Sequence, residues 1–266
     1  MKTLLLRTLG VIALAAGLTA QLYAQTEAEK RAADLEAKLR QTLESSDAGA
    51  RIMLELIDTY YAEGQLFGLV RTARTFVNTQ ASHPKHEETM WRLMEGLMAA
   101  SRNNEIKSTG LQFLERYPNS KRVAEVHLAL GEVFDAENKR REAADHYRGA
   151  WEKLGRNGIP HAEKAFRLYY DMRNPETAKI MGEMALKIID QLPANVSAAQ
   201  FAYNAMYQTR HYGKNQPLCI QIGLKAMQKK LPFDSRQGWE FRNWMGDIYR
   251  GQGQHSNAIK IYREAI

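Results

Sequence analysis

The sequence predicts an all-α protein built as a solenoid of about six antiparallel helix hairpins, and three observations predict it. A pattern of small and aromatic residues is written twice: Leu130, Gly131, Phe134, Ala143, Tyr147 and Ala150 are spaced as Met245, Gly246, Tyr249, Ala258, Tyr262 and Ala265 are. Nearly every long segment carries apolar residues three and four apart, the rhythm of one helix face. Runs of alternating apolar and polar residues bounded by turn signals, which would mark strands, are missing. A chain of 266 residues, 44% of them hydrophobic, can bury a sizeable core, and a repeat array spreads it along the stack.

Taken in order, residues 1–24 predict a cleavable secretory signal. Lys2 and Arg7 make a basic start, and the uncharged run from Thr8 to Ala20 is too short to span a bilayer. The expected cut is after Ala24, with Ala20 as the alternative site and an uncleaved anchor as the alternative fate. Removal of Lys2 and Arg7 takes the formal charge from +7 to +5, since 7 − 2 = 5. The single cysteine, Cys219, cannot become a lipidated N-terminus, excludes an intrachain disulfide, and lies in the apolar stretch Leu218-Cys219-Ile220, where it reads as a packing residue. A periplasmic or secreted protein is expected.

Residues 25–46 predict an amphipathic helix. Its Ala28, Ala32, Leu35 and Leu39 repeat by four and three, which suits either a cap on the first hairpin or a short coiled coil that joins copies of the chain. Residues 47–266 predict the repeat domain. The hairpins are Ile52–Glu63 with Leu66–Val77 around Gly64, Met90–Ala100 with Ile106–Tyr117, the first copy of the pattern, Pro160–Met172 with Pro175–Leu192, Val196–His211 with Pro217–Leu231, and the second copy. Pro175 and Pro217 open two of the second helices, where a missing N–H costs nothing. Asn138 in one copy and Gly251 and Gly253 in the other supply the turn. The motif glycines are 246 − 131 = 115 residues apart, too far for three units of about 34 residues. Units of about 38 residues are predicted instead.

These residues resemble the tetratricopeptide repeat family. The small and aromatic positions match, whereas the large aromatic expected three residues before each Leu-Gly-type pair is replaced by His127 and Arg242, with Trp244 near enough to fill similar space. Phe113-Leu114-Glu115-Arg116-Tyr117-Pro118-Asn119-Ser120, leading into Leu130-Gly131, is similar to repeats of periplasmic envelope-assembly and cell-division coordination proteins. The resemblance implies a right-handed superhelix whose first helices line a concave groove for protein segments. The face of those helices opposite the motif positions then nominates Arg51, Asp58, Tyr61, Glu125, Glu132, Asp135, Glu240, Asn243, Asp247 and Arg250 as groove residues. The basic-and-asparagine clamp that some relatives use for a terminal carboxylate is not evident.

Catalytic chemistry finds little support. His83-Pro84-Lys85-His86-Glu87-Glu88 invites a metal reading, but reads more simply as a helix opening at Pro84 with acids favoured by the helix dipole. No phosphate-cradling glycine loop, His-Glu-x-x-His or Gly-x-Ser-x-Gly is present, so neither a catalytic nor a cofactor site is nominated. Basic residues are interleaved with acids, as at Glu137, Lys139, Arg140, Arg141 and Glu142, which argues for a solvated surface over nucleic-acid binding. Asn195-Val196-Ser197 reads as a helix cap. The expected function is an exported, non-catalytic scaffold for a protein or peptide partner, with envelope association as an added possibility. The alternative is the recognition arm of a larger enzyme or sensor, because the apolar helical rhythm still runs at Ile266.

Overall fold

The computed structural model describes residues 27–263. Signal residues 1–24, residues 25 and 26 of the predicted N-terminal helix, and Ala265 of the second motif copy lie outside them. The described chain is helical throughout, with α1 over residues 27–40, followed by α2 (Asp47–Ala62), α3 (Leu66–Thr79), α4 (His86–Ala99), α5 (Asn103–Arg116), α6 (Val123–Ala136), α7 (Arg140–Leu154), α8 (Ile159–Met172), α9 (Pro175–Gln191), α10 (Val196–Gln208), α11 (Gln216–Gln228), α12 (Ser235–Gly251) and α13 (His255–Arg263). The first helices α2, α4, α6, α8, α10 and α12 start 36 (159 − 123) to 39 (86 − 47) residues apart. Hairpins are thus longer than 34 residues, as the wide motif spacing predicts. The chain divides into two compact units, residues 27–120 and 121–263.

In the first unit, α1 lays buried Ala32 and Leu35 onto the α2–α3 hairpin. Its Glu36 accepts from the Tyr60 hydroxyl at 2.6 Å and pairs with Arg71, so one carboxylate ties α1 to both helices. Burial and the bond to that anion push Tyr60 up to about 12. Ser46 caps α2, accepting from Gly49 N. Gly64, at φ +64°, makes the turn into α3, where only glycine adopts the left-handed backbone without strain. The helix predicted to open at Pro84 instead begins at His86, with Lys85 as its N-cap. His83 prefers to fold its ring edge-on to Phe76 at 5.2 Å and to accept the Lys85 N–H, which keeps residues 82–85 in turns.

In the second unit the motif positions meet as paired. A Cβ on Gly131 would lie 2.9 Å from the Tyr147 ring, and one on Gly246 would lie 2.3 Å from Tyr262, so each glycine is the seat of the aromatic wedge in its own hairpin. Leu130, Phe134, Ala143, Ala150, Tyr249 and Ala258 are buried around these seats. The departures from the family pattern have a physical account. His127 bonds His146 across α6–α7, Nδ1 to Nδ1 at 2.9 Å; His146 stacks on Phe134, and Gly149 supplies the space that the His127 ring occupies. Arg242 bends back to the Gly238 carbonyl, and Trp244 does not fill the vacant aromatic space: it faces α10.

Asn174, Asn195, Asn215 and Asp234 cap α9, α10, α11 and α12 with side-chain oxygens, which confirms Asn195 as a cap. Turns at Asn138 (φ +57°) and Gly253 (φ +74°) close the two motif hairpins. Ion pairs between successive second helices recur at a separation of 35 residues: Arg141–Glu176, Lys187–Glu152 and Lys225–Asp190. Lys229 reaches past them to the Ile189 and Leu192 carbonyls, satisfying acceptors left open at the end of α9.

Candidate functional site

The first helices of the second unit build an aromatic face. Tyr170 on α8, Tyr207 on α10 and Trp244 on α12 stand 37 residues apart, as 207 − 170 and 244 − 207 both give. Equal register puts equivalent side chains of neighbouring hairpins beside one another. Tyr207 stacks toward Tyr170 at 6.5 Å between ring centroids and lies 6.0 Å from Trp244, while Tyr203 packs on Trp244 at 5.3 Å. Buried Phe166 and Phe201, edge to face at 5.0 Å, support this layer from beneath.

The same register carries the polar ties. Tyr203 donates to Glu240, Gln237 to Gln200, and Arg210 to Asp247, each across 37 residues. Burial and the Glu240 anion push the Tyr203 phenol up to about 12, and the Tyr203 bond holds Glu240 below the usual carboxylate range. Fully buried Gln208 donates to the Tyr170 carbonyl at 3.1 Å, fixing α10 against the end of α8.

After Gln208 the helix widens into a π turn, Thr209–Gly213, ended by Lys214 in the left-handed region. Thr209 anchors it by donating to the Ala178 carbonyl at 3.3 Å. The wider turn brings His211 within 4.5 Å and Tyr212 within 6.4 Å of the Tyr207 ring, adding two rings to the cluster. Such π turns recur at functional sites. Burial and the neighbouring Arg210 lower the His211 pKa. Beside the rings, between α8 and α10, an open cavity of about 320 Å³ is lined by Glu163, Phe166, Arg167, Tyr170, Gln200 and Asn204, among others.

The predicted groove residues scatter more widely. Arg51, Asp58 and Tyr61 lie exposed on α2 in the first unit, where Arg51 bonds the Asp47 carbonyl and the Arg92 guanidinium sits 3.8 Å over the Tyr61 ring. In the second unit Glu132 is exposed on α6, Asp135 is half-exposed, and Glu125 pairs with Arg122. Glu240 and Asp247 do reach the aromatic face, as connectors already engaged: Glu240 by Tyr203 and Arg236, Asp247 by Arg210, Arg250 and Tyr262. Asn243 is half-exposed and Arg250 is exposed on α12.

His83 and His86 are held by the protein in separate ways. His86 is 3% exposed, with Nδ1 at 2.6 Å from the Tyr117 hydroxyl and Nε2 at 3.0 Å from the Val77 carbonyl, so both ring nitrogens are engaged. Among the described residues no group of three or more histidine, cysteine or acidic side chains is placed to share a metal ion. Cys219 is fully buried, which pushes its thiol up to about 12. The chemistry this site offers is aromatic contact and hydrogen bonding.

No protein-family model matches the chain, and no curated protein matches it. Solved structures do overlap it. They include the MamA protein, at 16% identity over 84% of this chain and 90% of that one with a TM-score of 0.36. A tetratricopeptide repeat protein from Parabacteroides merdae ATCC 43184 overlaps at 10% identity, over 81% and 78%, with a TM-score of 0.42. The apo form of RapI overlaps at 14% identity, over 86% of each chain, with a TM-score of 0.40. The first unit is a run of all-α helix hairpins, and in the second the glycine seated against an aromatic in both motif copies gives the hairpins a tetratricopeptide-type geometry.

Proposed function

We propose that the chain is an exported, non-catalytic scaffold that binds a protein segment along the aromatic face of α8, α10 and α12. The observation that carries this reading is the 37-residue register of Tyr170, Tyr207 and Trp244, which keeps large, half-buried rings at the surface where packing alone would bury them. Tyrosine and tryptophan give large contact area for little lost side-chain freedom, and they dominate binding energy at protein interfaces. The polar ties beneath the rings hold them in place before a partner arrives, which lowers the ordering cost of binding. The basic and apolar opening of residues 1–20 supports export.

A photo-crosslinking amino acid at Asn204 tests the face, with Lys187 on the second-helix side of the same unit as control. The expected result is a discrete crosslinked protein from Asn204 and none from Lys187, lost when Trp244→Ala is added. Equal labelling from both positions removes the reading. Intact mass of protein recovered from its native compartment should show Gln25 as the first residue, and a retained Met1 would indicate an anchor in place of a cleaved signal.

A further inference from the structure

Resting on that reading, we infer that the segment bound on this face is proline-rich, extended and acidic. The ring surface decides the first point. The hydroxyls of Tyr170, Tyr207 and Tyr212 and the indole N–H of Trp244 make no hydrogen bond within the described protein, so four donors between the rings are open to the carbonyls of a bound segment. The carboxylates of α12 are engaged elsewhere, Glu240 by Tyr203 and Arg236, Asp247 by Arg210, Arg250 and Tyr262. An ordinary extended peptide also brings an N–H with every residue, and an N–H laid on a ring face finds no strong acceptor there. Proline has no N–H, and a polyproline II segment presents carbonyls alone, with flat rings that lie between aromatic side chains. Ring centroids 4.5 to 6.5 Å apart around Tyr207 form a continuous ridge for such packing.

Charge decides the second point. Arg167 on α8, Arg173 just after it and Lys214 at the end of the π turn have no ion-pair partner among the described residues. Glu163, one turn before Arg167, is the carboxylate on the cavity wall without a partner, so the far end of the cavity is less basic than the end beside Tyr170. Acidic residues flanking the prolines fit the cations near Tyr170 and Tyr212.

Fluorescence anisotropy on the mature chain, with labelled peptides carrying about six prolines between acidic flanks, tests the inference. The acidic proline peptide should bind at least about tenfold more tightly than one with the prolines replaced by Gly-Ser, and than one with basic flanks. Trp244→Ala should lower affinity by about tenfold or more. Tyr207→Phe, which keeps the ring and removes the hydroxyl, should lower it severalfold, and Arg167→Glu with Arg173→Glu should remove the preference for acidic flanks. The last two changes alter half-exposed and exposed groups, so unchanged melting temperatures keep the result interpretable if Trp244→Ala unfolds. Equal binding of the Gly-Ser peptide, or binding of a chito-oligosaccharide in place of the peptides, overturns the inference. If the Asn204 crosslink captures a partner through a segment without proline, the scaffold reading stands and the proline inference alone falls; no crosslink at all removes both.

Discussion

Single residues set how closely each hairpin closes. Gly131 seats a Tyr147 ring that is itself 1% exposed, so the ring has nowhere to move when the seat is filled. Gly131→Val should destabilise the second unit by about 2 kcal/mol, measured by urea unfolding, because overpacking outweighs what the helix gains by losing glycine. The histidine pair in the same hairpin makes stability depend on pH. Burial, with His146 and Lys153 adding to it, lowers His127 to about 4, and burial lowers His146 as well. Each native pKa is below the unfolded value near 6.5, so the stability they confer is complete above about pH 6.5 and is lost as pH falls toward 4. Melting temperature measured from pH 7 to pH 4 should fall, and His127→Phe should flatten the fall. Cys219 should resist a thiol reagent in the native protein and react on unfolding, since its sulfur is both buried and protonated.

Elements were legible in the sequence where their ends carry chemistry. Asn195 marks a helix start by capping, and Asn195→Ala should cost about 1 kcal/mol in unfolding free energy. Asn138 and Gly253 mark turns by their positive φ. Pro84 misleads because proline suits both a first helical turn and an ordinary turn, and the choice is made by His83 packing on Phe76, a tertiary contact. The π turn was not legible for a similar reason. Nothing in Thr209-Arg210-His211-Tyr212-Gly213 announces it; Thr209 bonded to the Ala178 carbonyl and Lys214 in the left-handed region define it. Lys229 looks like a cation closing its own helix, yet it serves the end of α9. Lys229→Ala should therefore destabilise by about 1–2 kcal/mol, more than loss of an exposed lysine, as read by chemical denaturation.

Across the molecule, the all-α hairpin class and its long repeat unit follow from periodicity and the spaced motif copies. The candidate site was legible too, in a register that motif matching passes over. Searching for glycine and tyrosine at packing positions finds the inside of each hairpin, whereas Tyr170, Tyr207 and Trp244 repeat on the outside. Polar residues on the exposed side of the first helices include Glu240 and Asp247, but the rings beside them share no polarity signal and stand out only by their spacing. Binding and folding should therefore separate: Trp244→Ala is expected to lose about 2 kcal/mol of partner affinity by calorimetry, with a smaller loss of unfolding free energy.

The constant interval of 37 residues also bears on how such a protein changes over generations. Tyr203 meets Glu240, Gln200 meets Gln237 and Arg210 meets Asp247 at the same offset, so each row bonds to the next by position in the unit. An in-frame duplication of one unit would inherit both the rings and their supports already in step. The length of ligand that can be gripped would then grow by copying, with no new side chain having to be invented.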